Sequence, residues 1–496
     1  MSVALFRAGS RAARAWTWAQ ARPAGAAVAV LLAVYAIYLP HSGYDRLYYD
    51  AVQYWTLGQQ YGKTGAFELL SFASSMRGYL LPLLLAPFAI AGPHLRLEPI
   101  VLVWPLGVVT AAVLFGAVGP ALWRVVGGAG TPVVPLARRL VFGALGFALW
   151  RDYFNFPLSD FPALLALAIS LWALLGGRTV PGGLLAGLAL GASANMRPVF
   201  VIALPLVGLL ALLPPRAGDD AAARLSRRTS WLWRGAIVAG LALVLAPQFV
   251  INAHNFQKYT PWVLARDSRY PDGLYLQQLE WGLQYQKYET SVANDFPHPQ
   301  MFFADPQGEA LLATVGQPKA VATGLLKLDT QAQYLMLVKQ HPLAVAGVWL
   351  RHLFNGLDLQ YPSPYVRRVY VASWPLAWLN YTVLLGGAAV LLGRWRRLGT
   401  SLRGALVLAV FIMPCLGAVP VAMECRFLLP LHLLLSGALT FGGHPVRAWR
   451  AAAAPWRTTW VAGYALLIAA CFWASANCQA QLIGGPRTLV GTRSLR

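Results

Sequence analysis

The sequence predicts an all-α, polytopic transmembrane protein, on three observations. Apolar runs of roughly 15–22 residues recur along the chain, about the length a helix needs to cross a bilayer. Charged residues are only 12% of the 496, about half the ~25% of soluble domains, so the chain cannot supply a polar surface for its size. The formal charge of +22 sits largely on arginines in short segments between apolar runs, where the positive-inside rule puts them. That placement makes the basic charge an orientation signal and argues against a nucleic-acid partner. The alternating pattern of a transmembrane barrel is absent, so helices must satisfy the backbone in lipid.

About eleven spans follow from this pattern. The first, about 24–40, runs outward behind Arg7, Arg11, Arg14 and Arg22, with no small-residue cleavage site after it; it reads as a retained helix. The polar segment 41–76 is then external. The run 78–92, with Pro82 and Pro87, reads as a juxtamembrane or re-entrant piece, because a full crossing there would place Arg124, Arg138 and Arg139 outside. Further spans are expected near 99–119, 139–152, 161–177, 182–194, 199–213, 235–252, 371–392, 404–422, 427–441 and 458–475. In this arrangement sixteen acids face outward and only Asp219 and Asp220 inward. Arg216, Arg224, Arg227, Arg228 and Arg447 are among the inward cations.

Three regions are expected: an N-terminal transmembrane module, 1–252, with an external catalytic loop at 41–92; a large external loop, 253–370; and a C-terminal transmembrane module, 371–496. Within the large loop, 334–359 has apolar residues at near-helical spacing and is expected to lie on the membrane surface. Four scattered cysteines form no zinc motif or disulfide framework, although Cys425 and Cys478 could pair outside. His254, His341 and His352 lack metal-ligand spacing and read as surface or interfacial residues.

The candidate chemistry gathers at the outer helix ends. Asp50 lies among Tyr44, Tyr48, Tyr49, Tyr54 and Trp55, too many aromatics for a solvated loop and suited to an interface or a sugar platform. Such half-dry surroundings should raise its pKa and suit it to general-base work. Asp160, in Pro157-Leu158-Ser159-Asp160-Phe161-Pro162, is either a helix cap or a second functional acid. Arg77, Arg197 and Arg426 each stand at an outer boundary beside an apolar run, where they either snorkel or hold an anionic phosphate; Arg426 also has Glu424 nearby as a partner. No P-loop or Rossmann glycine pattern is present, which disfavours a nucleotide-sugar donor.

Several of these stretches, in order, resemble the bacterial GT-C glycosyltransferases related to protein O-mannosyltransferases and to the lipid A aminoarabinose transferase. Asp50-Ala51-Val52-Gln53-Tyr54-Trp55 is similar to their Asp-Glu-Ala-x-Tyr-Trp. Arg77-Gly78-Tyr79-Leu80 sits where they have Lys-Pro-Pro-Leu, and Ser159-Asp160 where they have Thr-Asp or Leu-Asp. Pro247 to Asn252, Phe256 and Pro261 resemble their Pro…Asn…Phe-Gly…Pro stretch, and Glu424-Cys425-Arg426-Phe427-Leu428-Leu429-Pro430 their Glu-x-Arg-Tyr-x-x-Pro. The chain departs at Ala51 and at Arg77-Gly78-Tyr79.

The resemblance implies inverting transfer of a sugar from a polyprenyl-phosphate-linked donor to a hydroxyl of a glycan, lipid or protein acceptor, on the periplasmic face of a bacterial inner membrane. Asp50 would be the base, with Asp160 orienting the acceptor or sharing a divalent cation with Asp50; no metal is expected to be obligatory. Arg77, and Arg197 or Arg426, would hold the phosphate; Tyr49, Tyr54, Trp55 and Glu424 would line the substrate site. Two other readings stay open: a transporter or flippase of a lipid-linked sugar, and an O-antigen ligase or polymerase relying on Arg351, His352 or His341.

Overall fold

The computed structural model describes residues 17–485 except 128–131, 215–226, 269, 297, 316, 319–325, 372, 399–400, 444–449 and 451–452. Arg7, Arg11, Arg14, Arg216, Asp219, Asp220, Arg224 and Arg447, on which part of the orientation argument rests, lie outside the described residues. The protein is mostly helical (74%) with little strand. Six described helices are long and apolar enough to cross a membrane: Pro23–His41, Pro99–Gly127, Arg228–Phe256, Trp374–Arg394, Cys425–Gly442 and Ala454–Ala480. They make the chain an integral membrane protein. Of five shorter apolar helices, Leu80–Gly92 falls on the expected re-entrant piece, and Asp160–Gly176, Val180–Met196, Pro198–Leu212 and Leu402–Ala418 fall on four expected spans; the span expected at 139–152 corresponds to the helix Leu136–Trp150.

In chain order the elements that place the site are α1 (Pro23–Tyr38), α2 (Tyr49–Gln60), α3 (Leu80–Leu95), α4 (Pro99–Gly127), α5 (Leu136–Trp150), α6 (Asp160–Gly176), α7 (Val180–Met196), α8 (Ala203–Leu212) and α9 (Arg227–Phe256). The segment before the last module holds α10 (Leu274–Gln284), β1 (Tyr285–Ser291), β2 (Gln300–Ala304), α11 (Pro306–Val315), α12 (Gln331–Gln340), α13 (Pro342–Leu357) and β3 (Tyr365–Val366). The chain then runs through α14 (Trp374–Leu398), α15 (Leu402–Ala418), α16 (Leu429–Gly437) and α17 (Ala454–Ala480).

Small residues decide how closely the helices approach. Without a hydrophobic drive between helices in lipid, close backbone contact is a main source of association, and it needs glycine. Gly183, Gly187 and Gly191 recur every fourth residue on α7 and face α9. A Cβ on Gly187 would sit 1.9 Å from the Ile237 carbonyl, and one on Gly240 of α9 would sit 2.3 Å from the Leu184 carbonyl. Between α6 and α7, the Thr179 hydroxyl accepts from the Gly182 amide at 3.1 Å and caps the second helix.

Two π-helical turns, Leu114–Val118 within α4 and Ala438–Gly442 after α16, free carbonyls from the regular ladder. Adjacent arginines of α5 satisfy one in each: Arg139 donates to the Gly116 carbonyl at 2.7 Å, and Arg138 to that of Phe441 at 2.9 Å. Arg139 is buried for that reason; its positive charge is met by backbone dipoles rather than by a carboxylate.

The segment 253–370 adds a small sheet to this otherwise helical chain. It carries a three-stranded sheet in the order β2-β1-β3, with β1 antiparallel to β2 and parallel to β3. Short strands of mixed polarity such as Tyr285–Ser291 lack the clean alternation that reveals a strand in sequence. The expected single amphipathic helix at 334–359 is two, α12 and α13, broken at His341–Pro342, because Pro cannot donate to the preceding turn. Leu335, Met336, Leu343 and Leu350 are exposed along this pair.

Gly187→Ala should lower the thermal midpoint of the purified protein by several degrees, about 1–3 kcal/mol of overpacking, because helix backbones must part to admit the methyl group. Gly208→Ala, with nothing within 4 Å of the added carbon, should leave it unchanged or slightly raised. A differential scan in detergent compares the two, and equal midpoints would contradict the packing described.

Candidate active site at the ends of α2, α6 and α7

Asp50 lies in the first turn of α2, where a negative charge meets the positive end of the helix dipole. Its neighbours at three and four residues on share its face. Gln53 accepts from the Arg77 Nε at 3.2 Å, and the Tyr54 ring lies 5.3 Å beneath the Arg77 guanidinium. Arg77 completes the triangle with a 2.7 Å ion pair to Asp50. The loop carrying Arg77 is pinned from behind. Gly78 packs so tightly on α7 that a Cβ would lie 2.0 Å from the Asn195 carbonyl. The Leu80 amide donates to the Asn195 side chain at 3.0 Å, and Asn195 donates to Gln248 of α9 at 2.8 Å. Gln248 in turn donates to Asn252 at 2.9 Å. These three buried amides fasten the Arg77 loop to the end of α7, where the chain turns at Arg197.

Arg197 forms an ion pair with Asp160, the first residue of α6. Asp160 is not a cap, since no side chain caps that helix; it is a buried acid held by arginines. From the third module comes Glu424, in extended backbone, followed by the 3-10 turn Cys425–Leu428, which folds Arg426 back over it. Arg426 grips Glu424 with two contacts, 2.8 and 2.9 Å, and reaches Asp50 at 3.4 Å and Asp160 at 3.8 Å. Three arginines and three carboxylates thus form one charge-balanced cluster, drawn from segments up to 376 residues apart in the chain. None of the three arginines snorkels alone. The Phe427 ring lies 5.5 Å from the Arg197 guanidinium and 5.9 Å from that of Arg426.

Exposure separates the two aspartates. The Asp50 side chain is 30% exposed and that of Arg77 27%, whereas Asp160 is 2% exposed. Only Asp50 and Arg77 present a carboxylate and a guanidinium to solvent together, so the mouth of the cluster is that pair.

The electrostatics overturn one expectation. Burial alone would raise the Asp50 carboxyl, but Arg77 and then Arg426 outweigh it and hold the group below the ordinary carboxylate value. At rest Asp50 is therefore ionised and tightly paired. Burial, and next the Glu424 carboxylate, push the phenol of Tyr288 on β1 well above its usual value, so it stays protonated.

Other expected site residues fall differently. Tyr49 is exposed at the start of α2 with φ +40°, its hydroxyl donating to the Ser291 carbonyl at 2.6 Å. Tyr54 is buried as the floor under Arg77. Trp55 cannot line a substrate site: at about 100° per residue it is turned away from Asp50, and it packs in the core against α3 beside Gly92. His352, expected at the surface, is fully buried with its Nδ1 2.7 Å from the Val419 carbonyl, and Arg351 pairs with Asp305 at 2.8 Å. Cys425 and Cys478 are free thiols; Cys425 donates to the Asp358 carbonyl at 3.2 Å. The guanidinium of Arg426 reaches both Asp50 and Asp160, the position a cation shared by the two acids would need.

Sequence reasoning missed a second buried ionic group behind the first. Lys287 of β1 pairs with Glu289 at 2.9 Å and approaches Asp358 at 4.0 Å; Asp358 also accepts from Tyr381 at 2.6 Å and Ser475 at 2.7 Å. Tyr288 follows Lys287 directly, so this network anchors the strand that meets Glu424. Its residues are scattered over nearly two hundred positions, and no spacing rule links them. No family model, curated protein or solved structure matches the chain.

Asp160→Asn should cost about 3 kcal/mol of stability or more, because it strands buried guanidinium charge. Asp50→Asn, at the open mouth, should cost about 1 kcal/mol or less at neutral pH. The depressed value of Asp50 sets a sign: its pairing stabilises the fold fully above the ordinary value of 3.8 and is lost as pH falls through the lower folded value. The difference in thermal midpoint between the parent and Asp50→Asn should therefore shrink on acidification below about pH 4. A gap that widens there would contradict the assignment.

Proposed function

We propose that the chain is an inverting glycosyltransferase of GT-C type that moves a sugar from a polyprenyl-phosphate carrier to an acceptor hydroxyl, with its site on the periplasmic side of a bacterial inner membrane. The observation that carries this reading is the accessible Asp50–Arg77 pair backed by Arg426 and Arg197. A base and a set of phosphate-binding guanidiniums stand in contact, at the ends of apolar helices where a lipid-borne phosphate would arrive. On this reading Leu80–Gly92 does not cross, while Leu136–Trp150 and the other four shorter apolar helices do; the chain then crosses about eleven times, with the cluster on the side assigned to sixteen of the eighteen acids.

In the reaction the acceptor hydroxyl gives its proton to Asp50 while its oxygen attacks the anomeric carbon from the face opposite the phosphate. The bond from that carbon to the phosphate oxygen breaks, and its electron pair leaves with polyprenyl phosphate. Arg77 holds the growing charge, with Arg426 behind it. The depressed resting pKa has a use here. When the donor phosphate takes Arg77, Asp50 loses its closest cation and its basicity recovers, so the base is released only with donor bound. Arg197 and Asp160 hold the rear of the cluster, and Tyr49 offers an exposed ring beside the base for packing against a sugar. The acceptor, whether glycan, lipid or protein, approaches past the exposed side of α2.

The transporter reading fits less well, because the ionisable cluster sits at helix ends rather than along their middles. The ligase reading relies on Arg351 and His352, each partnered elsewhere.

Asp50→Ala should reduce transfer at least a hundredfold with expression and thermal midpoint little changed, measured by mass spectrometry of envelope glycans, lipids and proteins. Full activity in that variant would sink the proposal. Arg77→Gln should weaken donor binding and move the acid limb of kcat/KM upward in pH, since the first cation lowering Asp50 is gone. A limb that stays in place or moves down would separate Asp50 from the titration.

A further inference from the structure

A second cationic site lies at the opposite end of the helical bundle. α6 begins at Asp160, in the cluster, and ends at Gly176; at 1.5 Å per residue its ends are about 24 Å apart. At the far end a cavity of about 590 Å³ opens among α4, α5, α6, α7 and α15, lined by Arg124, Arg139 and Arg403. Among the described residues no acid lines it, and neither Arg124 nor Arg139 makes an ion pair with any described carboxylate. Arg139 is anchored on the Val134 and Gly116 carbonyls at 3.0 and 2.7 Å, and Arg403 on the Pro214 carbonyl. Backbone contacts thus hold two of the three side chains facing the cavity.

Arg124 and Arg139, with no described carboxylate partner, place two guanidiniums on the cavity beside Arg403, and their planar forks fit phosphate oxygens in pairs. Apart from Thr179, the remaining wall is apolar side chains and glycine. It includes Trp172 and Leu185, both large side chains exposed on the outer surface of the helices. An apolar wall continuous with a membrane-facing surface, rimmed by cations at a helix end, matches an anion that carries hydrocarbon chains. We propose that this cavity binds the phosphate headgroup of an anionic membrane phospholipid, with its acyl chains lying along Trp172 and Leu185. The proposal depends on membrane insertion and the cavity alone, and it stands or falls separately from the reading of Asp50.

The test uses the full-length protein in detergent, offered equal amounts of phosphatidylglycerol and phosphatidylcholine and examined by native mass spectrometry. The parent should retain the anionic lipid selectively. The double variant Arg124→Ala/Arg403→Ala, which spares Arg139 and its carbonyl contacts, should lose about thirtyfold in that retention. Arg124→Lys/Arg403→Lys should keep most of it, which separates lost charge from a disturbed fold. Equal retention of the two lipids by the parent would overturn the proposal, as would unchanged selectivity in a monodisperse alanine variant. Displacement of the lipid by millimolar inorganic phosphate would also overturn it, by showing that the cavity takes a soluble anion and has no preference for one bearing chains.

Discussion

Arg426 is the contact on which the site depends. Its guanidinium holds Glu424 with two nitrogens, touches Asp50 on α2 and approaches Asp160 on α6. A single delocalised cation with five donors can face three carboxylates, where a lysine ammonium would hold a less defined geometry. Because each partner comes from a different helix end, the ion network also sets the distances between those ends. Uncompensated, three partly buried cations at an apolar rim would be strongly destabilising; matched one to one with acids, they form a stable yet polarised cluster.

The cluster is graded from sealed to open. Asp160 with Arg197 lies at the back, Glu424 with Arg426 in the middle, and Asp50 with Arg77 at the mouth. The supports behind it are graded too. Three buried amides of α7 and α9 fasten the Arg77 loop, and the Lys287–Asp358 group fastens the strand carrying Tyr288. Such support holds the mouth in one geometry while leaving its two front groups reachable.

Much of this was legible before any coordinates. Charge scarcity and apolar length pointed to a helical membrane protein, and boundary arginines with nearby acids named the six charged members of the cluster. The boundaries of α6, α7 and α8 fell within a few residues of expectation, because Pro and polar residues mark those ends in sequence. Less was legible where position in space overrides type. Trp55 has the composition of a sugar platform, but helix geometry turns it into the core. His352 has the polarity of a surface residue, but a backbone carbonyl accommodates it inside. The strands of 285–304 and 365–366 are too short and mixed to announce themselves, and the glycine ladder of α7 reads as mere apolar filler until α9 lies against it.

What the sequence determined by itself was local and additive: which stretches are apolar enough for lipid, which ends carry charge, and which acid sits among aromatics. Each depends on residues near one another in the chain. What only the tertiary structure decided was pairing. That Asp50 is held below its ordinary value rather than above it, that Arg426 faces three acids, and that Asp160 is sealed while Asp50 is open depend on distances between segments from 27 to 376 residues apart in the chain. Coulomb energy and desolvation vary steeply with those distances, and composition carries no record of them.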